Sequence, residues 1–173
     1  MKVKQFQSGM TLIELILYVA LISIFISGMV VFAWDFIYSA AKTKVHREVN
    51  QNLRLASKRI IYEIRNASQV QSISSSDICL GSATSERNPT RIYSSNGNLH
   101  IAWGGGSINC TGMTNDEVLT SNKITVPSLT FSDHSSGSNS SNIQFSLTVT
   151  SFGARKEWQK SQTYTGTAEV RTK

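Results

Sequence analysis

The stretch QSGMTLIELILYVALISIFISGMVVFAW, Gln7 to Trp34, decides how the rest of the chain is read. Between Met10 and Trp34 its one acidic or basic side chain among Asp, Glu, Lys, Arg and His is Glu14. As a helix rising about 1.5 Å per residue, that run extends roughly 35 Å and can cross a hydrocarbon layer about 30 Å thick. A carboxylate in such a span is costly and marks function, unless it reaches the interface from one turn inside. A cleaved secretory signal is the plainer reading, with Ser39-Ala40-Ala41 as small residues for the cut. However, the apolar run is too long for a signal core, and Asp35 and Tyr38 interrupt the approach to that point. A simple membrane anchor fits the length but gives no reason for Glu14.

Downstream, the apolar pattern changes without a helix breaker. Ile37, Ala41, Val45, Val49, Leu53, Ala56, Ile60, Ile64 and Ala67 recur at spacings of three and four, with Lys42, Arg47, Arg54, Lys58 and Arg65 between them. The first proline is Pro89, so one helix from about Thr11 to about Ser68 is expected, with Gly28 as its weak point. Beyond Val70 the composition turns to Ser, Thr, Asn and Gly, and the period becomes two. Leu99, Ile101 and Trp103 form one alternating set, and Ile143, Phe145, Leu147 and Val149 another. Weaker strand candidates lie at 90 to 94, 122 to 126, 128 to 132 and 162 to 171. The expected fold is α+β: residues 1–9 a basic leader, 10–34 a membrane helix, 35–70 its amphipathic continuation, and 71–173 an antiparallel sheet. The helix stripe from Ile37 to Ala67 is the available cover for the sheet's apolar face. The segments WGGGSINCTG and SDHSSGSNSSN read as exposed loops.

The charge, +6 from 17 basic and 11 acidic side chains, is modest and dispersed. Only the helical stretch from Lys42 to Arg65 is locally basic. Lys42, Lys44, Arg54, Lys58 and Arg59 could meet nucleic acid, but a solvated or partner-facing helix surface explains them as well. The two cysteines, Cys79 and Cys110, lie far apart, with neither CxxC spacing nor a histidine cluster. A disulfide is therefore a better reading than zinc ligation or two free thiols, and it implies an oxidising compartment.

The residues SGMTLIEL carry a resemblance to the leader junction of type IV pilins and pseudopilins. A short basic leader, Gly9, Glu14 and an uninterrupted apolar helix follow one another in the order of that family. The resemblance implies a pilin-like fold and cleavage between Gly9 and Met10 by a prepilin peptidase on the cytoplasmic side. It also implies N-methylation of Met10. Glu14, fifth in the mature chain, would pair with the terminal amine of a neighbouring subunit and set the filament register. The implied partners are other pilin or pseudopilin subunits, an inner-membrane assembly platform, and membrane lipid before assembly. The implied course runs from a single-pass inner-membrane protein with a cytoplasmic N-terminus to a periplasmic or extracellular filament. The segment from Asn50 to Ser68 is similar to the end of the long helix in minor subunits, with Glu63, Ile64, Arg65 and Ala67 in its E-hydrophobic-R-x-A pattern. Met10 in place of the common phenylalanine and the lack of proline in the membrane half also lean toward a minor subunit. The resemblance leaves open a type IV pilus, a secretion pseudopilus or a competence filament. Rival readings are a permanent bitopic anchor with an external binding domain, and direct DNA binding in uptake.

Enzymatic signals are weak. His46, His100 and His134 are scattered, there is no G-x-S-x-G elbow, and Gly104-Gly105-Gly106 lacks the Lys and Ser/Thr of a phosphate loop. No catalytic activity, metal or cofactor is expected. Sequons begin at Asn66, Asn109 and Asn139, a common accident in a Ser/Thr/Asn-rich chain. Lys2 and Lys4 precede the apolar run and Lys42, Lys44 and Arg47 follow it, so the charge rule alone does not orient it.

Overall fold

The computed structural model describes residues 9–82, 85–105, 109–136, 141–152 and 159–170. The leader apart from Gly9, and the Asn139 sequon, lie outside the described residues. The chain divides into two compact units, Met1–Ala41 and Lys42–Lys173.

The first unit is helical from Leu12 onward, the start of α1 (Leu12–Asn66). Its apolar side chains are open, from Leu12 at 78% exposure to Phe32 at 72%. Among the described residues, α1 is the one helix long and apolar enough to cross a membrane. Two hydroxyls within this run bond back to the helix: Ser23 Oγ donates to the Val19 carbonyl at 2.7 Å and Ser27 Oγ to that of Ile24 at 2.9 Å. The helix therefore presents no unsatisfied serine there to an apolar surrounding. Trp34 and Tyr38 stack at its far end, with ring centroids 6.1 Å apart, an aromatic pair of the kind that favours a membrane boundary.

Among the described residues, the second unit holds the remainder of α1 and eight strands. β1 (Ala67–Ser74), β2 (Asp77–Ser82), β3 (Thr90–Ser95), β4 (Asn98–Trp103) and β5 (Asn115–Val118) form one antiparallel sheet in chain order. β6 (Ile124–Asp133), β7 (Asn142–Ser151) and β8 (Ser161–Glu169) form a second. A single sheet was expected; two form, because β6 turns away from β5 and couples to the first sheet by its edge. There Val126 N–H donates to the Gly97 carbonyl at 2.8 Å and Phe131 N–H to that of Ser75 at 3.1 Å. The β3–β4 hairpin closes through Asn96 and Gly97, both at positive φ (50° and 75°), the tight turn whose twist suits a two-residue connection.

One core unites the three layers. Val49, Leu53, Ala56, Ile60 and Ile64 of α1 join Ile78, Leu80, Ile92, Leu99 and Ile101 of the first sheet. Ile143, Phe145, Leu147 and Val149 of β7 complete it. The helix stripe that buries is shorter than expected: it begins at Val49, while Ile37 is 57% exposed. The helix also stops at Asn66, and residues 67–70 belong to β1 instead of to the amphipathic helix. Ala67 is buried and Ser68 Oγ donates to the Gly81 carbonyl at 3.1 Å, so pairing with β2 captures this segment.

On β7 the residues pointing away from the core are Gln144, Ser146, Thr148 and Thr150. They lie opposite Ser132, Thr130, Ser128 and Thr125 of β6 and Thr167, Thr165, Thr163 and Ser161 of β8. A bulge between Thr125 and Ser128 keeps β6 in step with this face.

Candidate functional site

Two places carry chemistry, one in each unit. The first is the N-terminal turn of α1. Thr11 precedes the helix, and its carbonyl accepts the first intrahelical bond, from Leu15 N–H at 3.2 Å. Its hydroxyl oxygen accepts from Glu14 N–H at 3.4 Å. Thr11 is thus the N-cap and Glu14 the third helical residue, the Thr-x-x-Glu arrangement of a capping box. Sequence reasoning missed this, although the spacing was there to read. A carboxylate in the first turn also stands at the positive end of the helix dipole. Gly9 and Met10 stand just outside the cap and are exposed.

The second place is on the last turns of α1. Glu63 is buried, with 7% of its side chain exposed, and its Oε1 accepts from Arg59 Nη2 and Arg87 Nη1, each at 2.7 Å. The Arg87 guanidinium also lies over the Trp103 ring, 5.0 Å from its centroid. A cleft of about 240 Å³ opens beside them, lined in part by Tyr62, Asn66, Ser82 and Thr90. In the E-hydrophobic-R-x-A segment, then, Glu63 pairs with arginines other than Arg65, Ile64 and Ala67 enter the core, and Arg65 is exposed. This carboxylate ties the helix to the segment before β3.

The basic residues do not converge. Lys42, Lys44, Arg54 and Lys58 are exposed. At 100° per residue, Lys44, Arg54 and Lys58 share about 80° of the helix circumference while Lys42 and Arg59 fall outside it. Arg59 is occupied by Glu63 and leans over Tyr62, 5.7 Å from the ring centroid.

The Cys79–Cys110 disulfide is formed and both cysteines are buried. It fastens the segment after β4 to β2 on the side away from Ile78 and Leu80. On the same sheet, Arg91 bonds Asp77 through both Nε and Nη2 and lies 4.5 Å from the Tyr93 ring centroid. Tyr93 Oη donates to Asp116 Oδ2 at 2.7 Å, and His100 Nδ1 lies 3.1 Å from Asp116 Oδ1. Burial and the Asp116 bond push the Tyr93 hydroxyl up to about 12. Burial acts to raise Asp116, but the bonds from Tyr93 and His100 outweigh it and hold the carboxyl below its ordinary value. These contacts hold the short edge strand β5 to the sheet. The three histidines are apart in space as in sequence: His134 meets Gln144 at 3.2 Å, and His46 sits half-buried on α1. Among the described residues, no group of three or more His, Cys, Asp or Glu side chains is placed to hold a metal ion.

Compared with known families, residues 4–30 match the prokaryotic N-terminal methylation motif. No curated protein and no solved structure matches the chain. The matched stretch takes in Gly9, Met10, the Thr11 cap and Glu14, and it opens a spanning-competent helix that two antiparallel sheets follow. The motif, at the head of that helix and ahead of antiparallel sheets, supports a type IV pilin-like precursor.

Proposed function

We propose that this chain is a minor pilin or minor pseudopilin, cut after Gly9 by a prepilin peptidase, methylated at the Met10 amine and assembled through its N-terminal helix into a filament. It serves as a structural subunit and not as an enzyme. The observation that carries this reading is the coincidence of the methylation motif with an apolar helix surface that holds Glu14 in its first turn. An exposed apolar surface of that extent needs lipid or the helices of other subunits to cover it.

The chemistry follows from the cut. Glycine offers a backbone without a side chain to the protease. Cleavage leaves an α-amine at Met10 with an ordinary pKa near 8, cationic at neutral pH, and methylation preserves the charge. That cation stands at the positive end of the helix dipole, where it is disfavoured. Glu14 of an adjacent subunit supplies the counter-charge, and in a low-dielectric setting an unpaired partner is costly, so subunits displaced by a turn are rejected. Before assembly the same helix anchors the subunit in the inner membrane. The destinations consistent with this reading are a type IV pilus, a type II secretion pseudopilus or a competence filament.

N-terminal mass analysis of the chain expressed with a prepilin peptidase tests the proposal, beside Gly9→Val. A mature chain starting at methylated Met10, lost in Gly9→Val, supports it. An intact Met1, or a cut after Ala41, overturns it in favour of an anchored or secreted domain.

A further inference from the structure

The outward side of α1 in the second unit carries charge of one sign. Lys44, Arg54 and Lys58, which share one arc of the helix, are joined there by Arg47 and Arg65. At 100° and 1.5 Å per residue these side chains lie within about 80° of the circumference and extend along about 32 Å of axis. The arc is centred opposite Val49, Leu53, Ile60 and Ile64, and all of its cations are exposed. Among the described residues none of them has an ion-pair partner. The nearest carboxylates are engaged or stand aside: Glu63 is taken by Arg59 and Arg87, Glu48 is half-buried about 40° beyond Lys44, and Glu117 lines a cleft with Leu55, Arg59 and Arg87. An ordinary solvated face mixes both signs. Here Lys44 with Arg47, and Arg54 with Lys58, are like-charged neighbours three and four positions apart, a spacing that costs an isolated helix stability. Leu55 and Tyr62 rise in the same band, 67% and 57% exposed. They are seven positions apart, as are Arg47 and Arg54, and Lys58 and Arg65. That repeat keeps side chains on the seam between two helices.

We propose that this band, from Lys44 to Arg65, is the docking surface for an acidic helix of a different filament subunit; the inference rests on the filament reading above and names the chemistry of one neighbour. Like charges bar a second copy from meeting the band with its own, so the neighbour is another chain with Asp and Glu along its seam. Nucleic acid would satisfy the cations and leave Leu55 and Tyr62 in water. Two apolar side chains are too few to hold a helix on a lipid surface. A helix that sets apolar residues against Leu55 and Tyr62 and carboxylates against the flanking cations covers both kinds of group, and Tyr and Arg are residue types enriched in such contacts. The band thus makes this subunit a joint between unlike chains, which suits a subunit present in few copies.

In the cell that makes this chain, a photo-crosslinking amino acid replaces Gln51, inside the band, or Ile22, in the apolar run. The expected adduct at Gln51 joins the helix of another processed prepilin, at a segment richer in Asp and Glu than in Lys and Arg. The double variant Arg54→Glu, Lys58→Glu should cut its yield at least fivefold. Lysines in place of the partner's carboxylates at the linked segment should restore the yield in that variant and lower it with the unaltered band, while melting curves certify folding. Adducts with a second copy, with nuclease-sensitive nucleic acid or with phospholipid overturn the proposal, as does a yield that the charge reversal preserves. Absence of any Gln51 adduct overturns it too. If Ile22 then still links subunits and the mature chain starts at Met10, the filament reading stands without this surface; if neither holds, both readings fall.

Discussion

Removing the Glu63 carboxylate tests whether the end of the helix is fastened by charge or only by packing. In Glu63→Ala two guanidiniums lose the oxygen they share at 2.7 Å, in a place where the carboxylate is 7% exposed and the arginines about a third exposed. A hydrogen bond to a charged group contributes about 1.5–3 kcal/mol. Both bonds here use one oxygen and the cations are partly hydrated, so roughly half of the full sum survives, about 1.5–3 kcal/mol. For a chain of this size about 3 °C accompanies each kcal/mol, and the expected fall in melting temperature is about 5–9 °C. The assay is thermal unfolding of the full chain in detergent, followed by loss of β circular dichroism. Arg87→Ala and the double variant complete a cycle with an expected coupling of about 1 kcal/mol. A change within 0.5 kcal/mol in Glu63→Ala, or zero coupling to Arg87, would refute the tie and leave Ile60 and Ile64 as the sole fasteners of this turn.

Three further outcomes are expected. Ser57 is 3% exposed on the packed face of α1 and its hydroxyl has no partner among the described residues, so Ser57→Ala should raise stability by about 1 kcal/mol in the same melting assay. Replacing both Cys79 and Cys110 by Ala removes a loop closure that contributes about 3.5–4 kcal/mol; the variant should melt where the reduced wild-type protein does, and well below the oxidised one. Tyr93, raised to about 12, is the tyrosine that ionises late: the stability it brings is complete below pH 10 and is lost as pH rises through 12. Asp116→Asn should bring its ultraviolet titration back toward 10, and an unchanged titration would rule out that pairing. Asp116, held low, works in the opposite direction, contributing above its ordinary value and losing that contribution as pH falls below it.

The helix and the strongly alternating strands were legible because a single physical requirement shaped each of them. Ile143, Phe145, Leu147 and Val149 face a core on one side only, so their period of two survives in the sequence. β2 escaped because it is buried on both sides, Ile78 and Leu80 in the core and Cys79 under the disulfide, which erases the alternation. β1 and β5 escaped for the opposite reason: they are sheet edges, β5 fully exposed, and NDEV carries no apolar signal. The candidates at 122 to 126 and 128 to 132 proved to be one strand bent by a bulge, with Pro127 where the register shifts. The cysteine pairing was readable from count and spacing. The Glu63–Arg87 pair was not, because nothing local links a helix residue to one 24 positions later.

At the N-terminal motif, the cap changes what a substitution at Glu14 measures. In a capping box the N3 side chain can itself return a bond to the backbone of the N-cap, so Glu14→Ala weakens the first turn by about 1 kcal/mol even in an isolated subunit. A loss of assembly in that variant therefore mixes a frayed helix with a missing counter-charge. Gln at N3 preserves the box and removes the charge. Glu14→Gln should keep amide-exchange protection in residues 12–15 of the nanodisc-embedded subunit and still fail to enter filaments. Thr11→Ala should do the reverse, fraying the turn while retaining the charge and part of assembly. If Glu14→Gln assembles as well as wild type, the carboxylate serves the helix terminus alone, and the register of the filament must be set by apolar packing along residues 12–34.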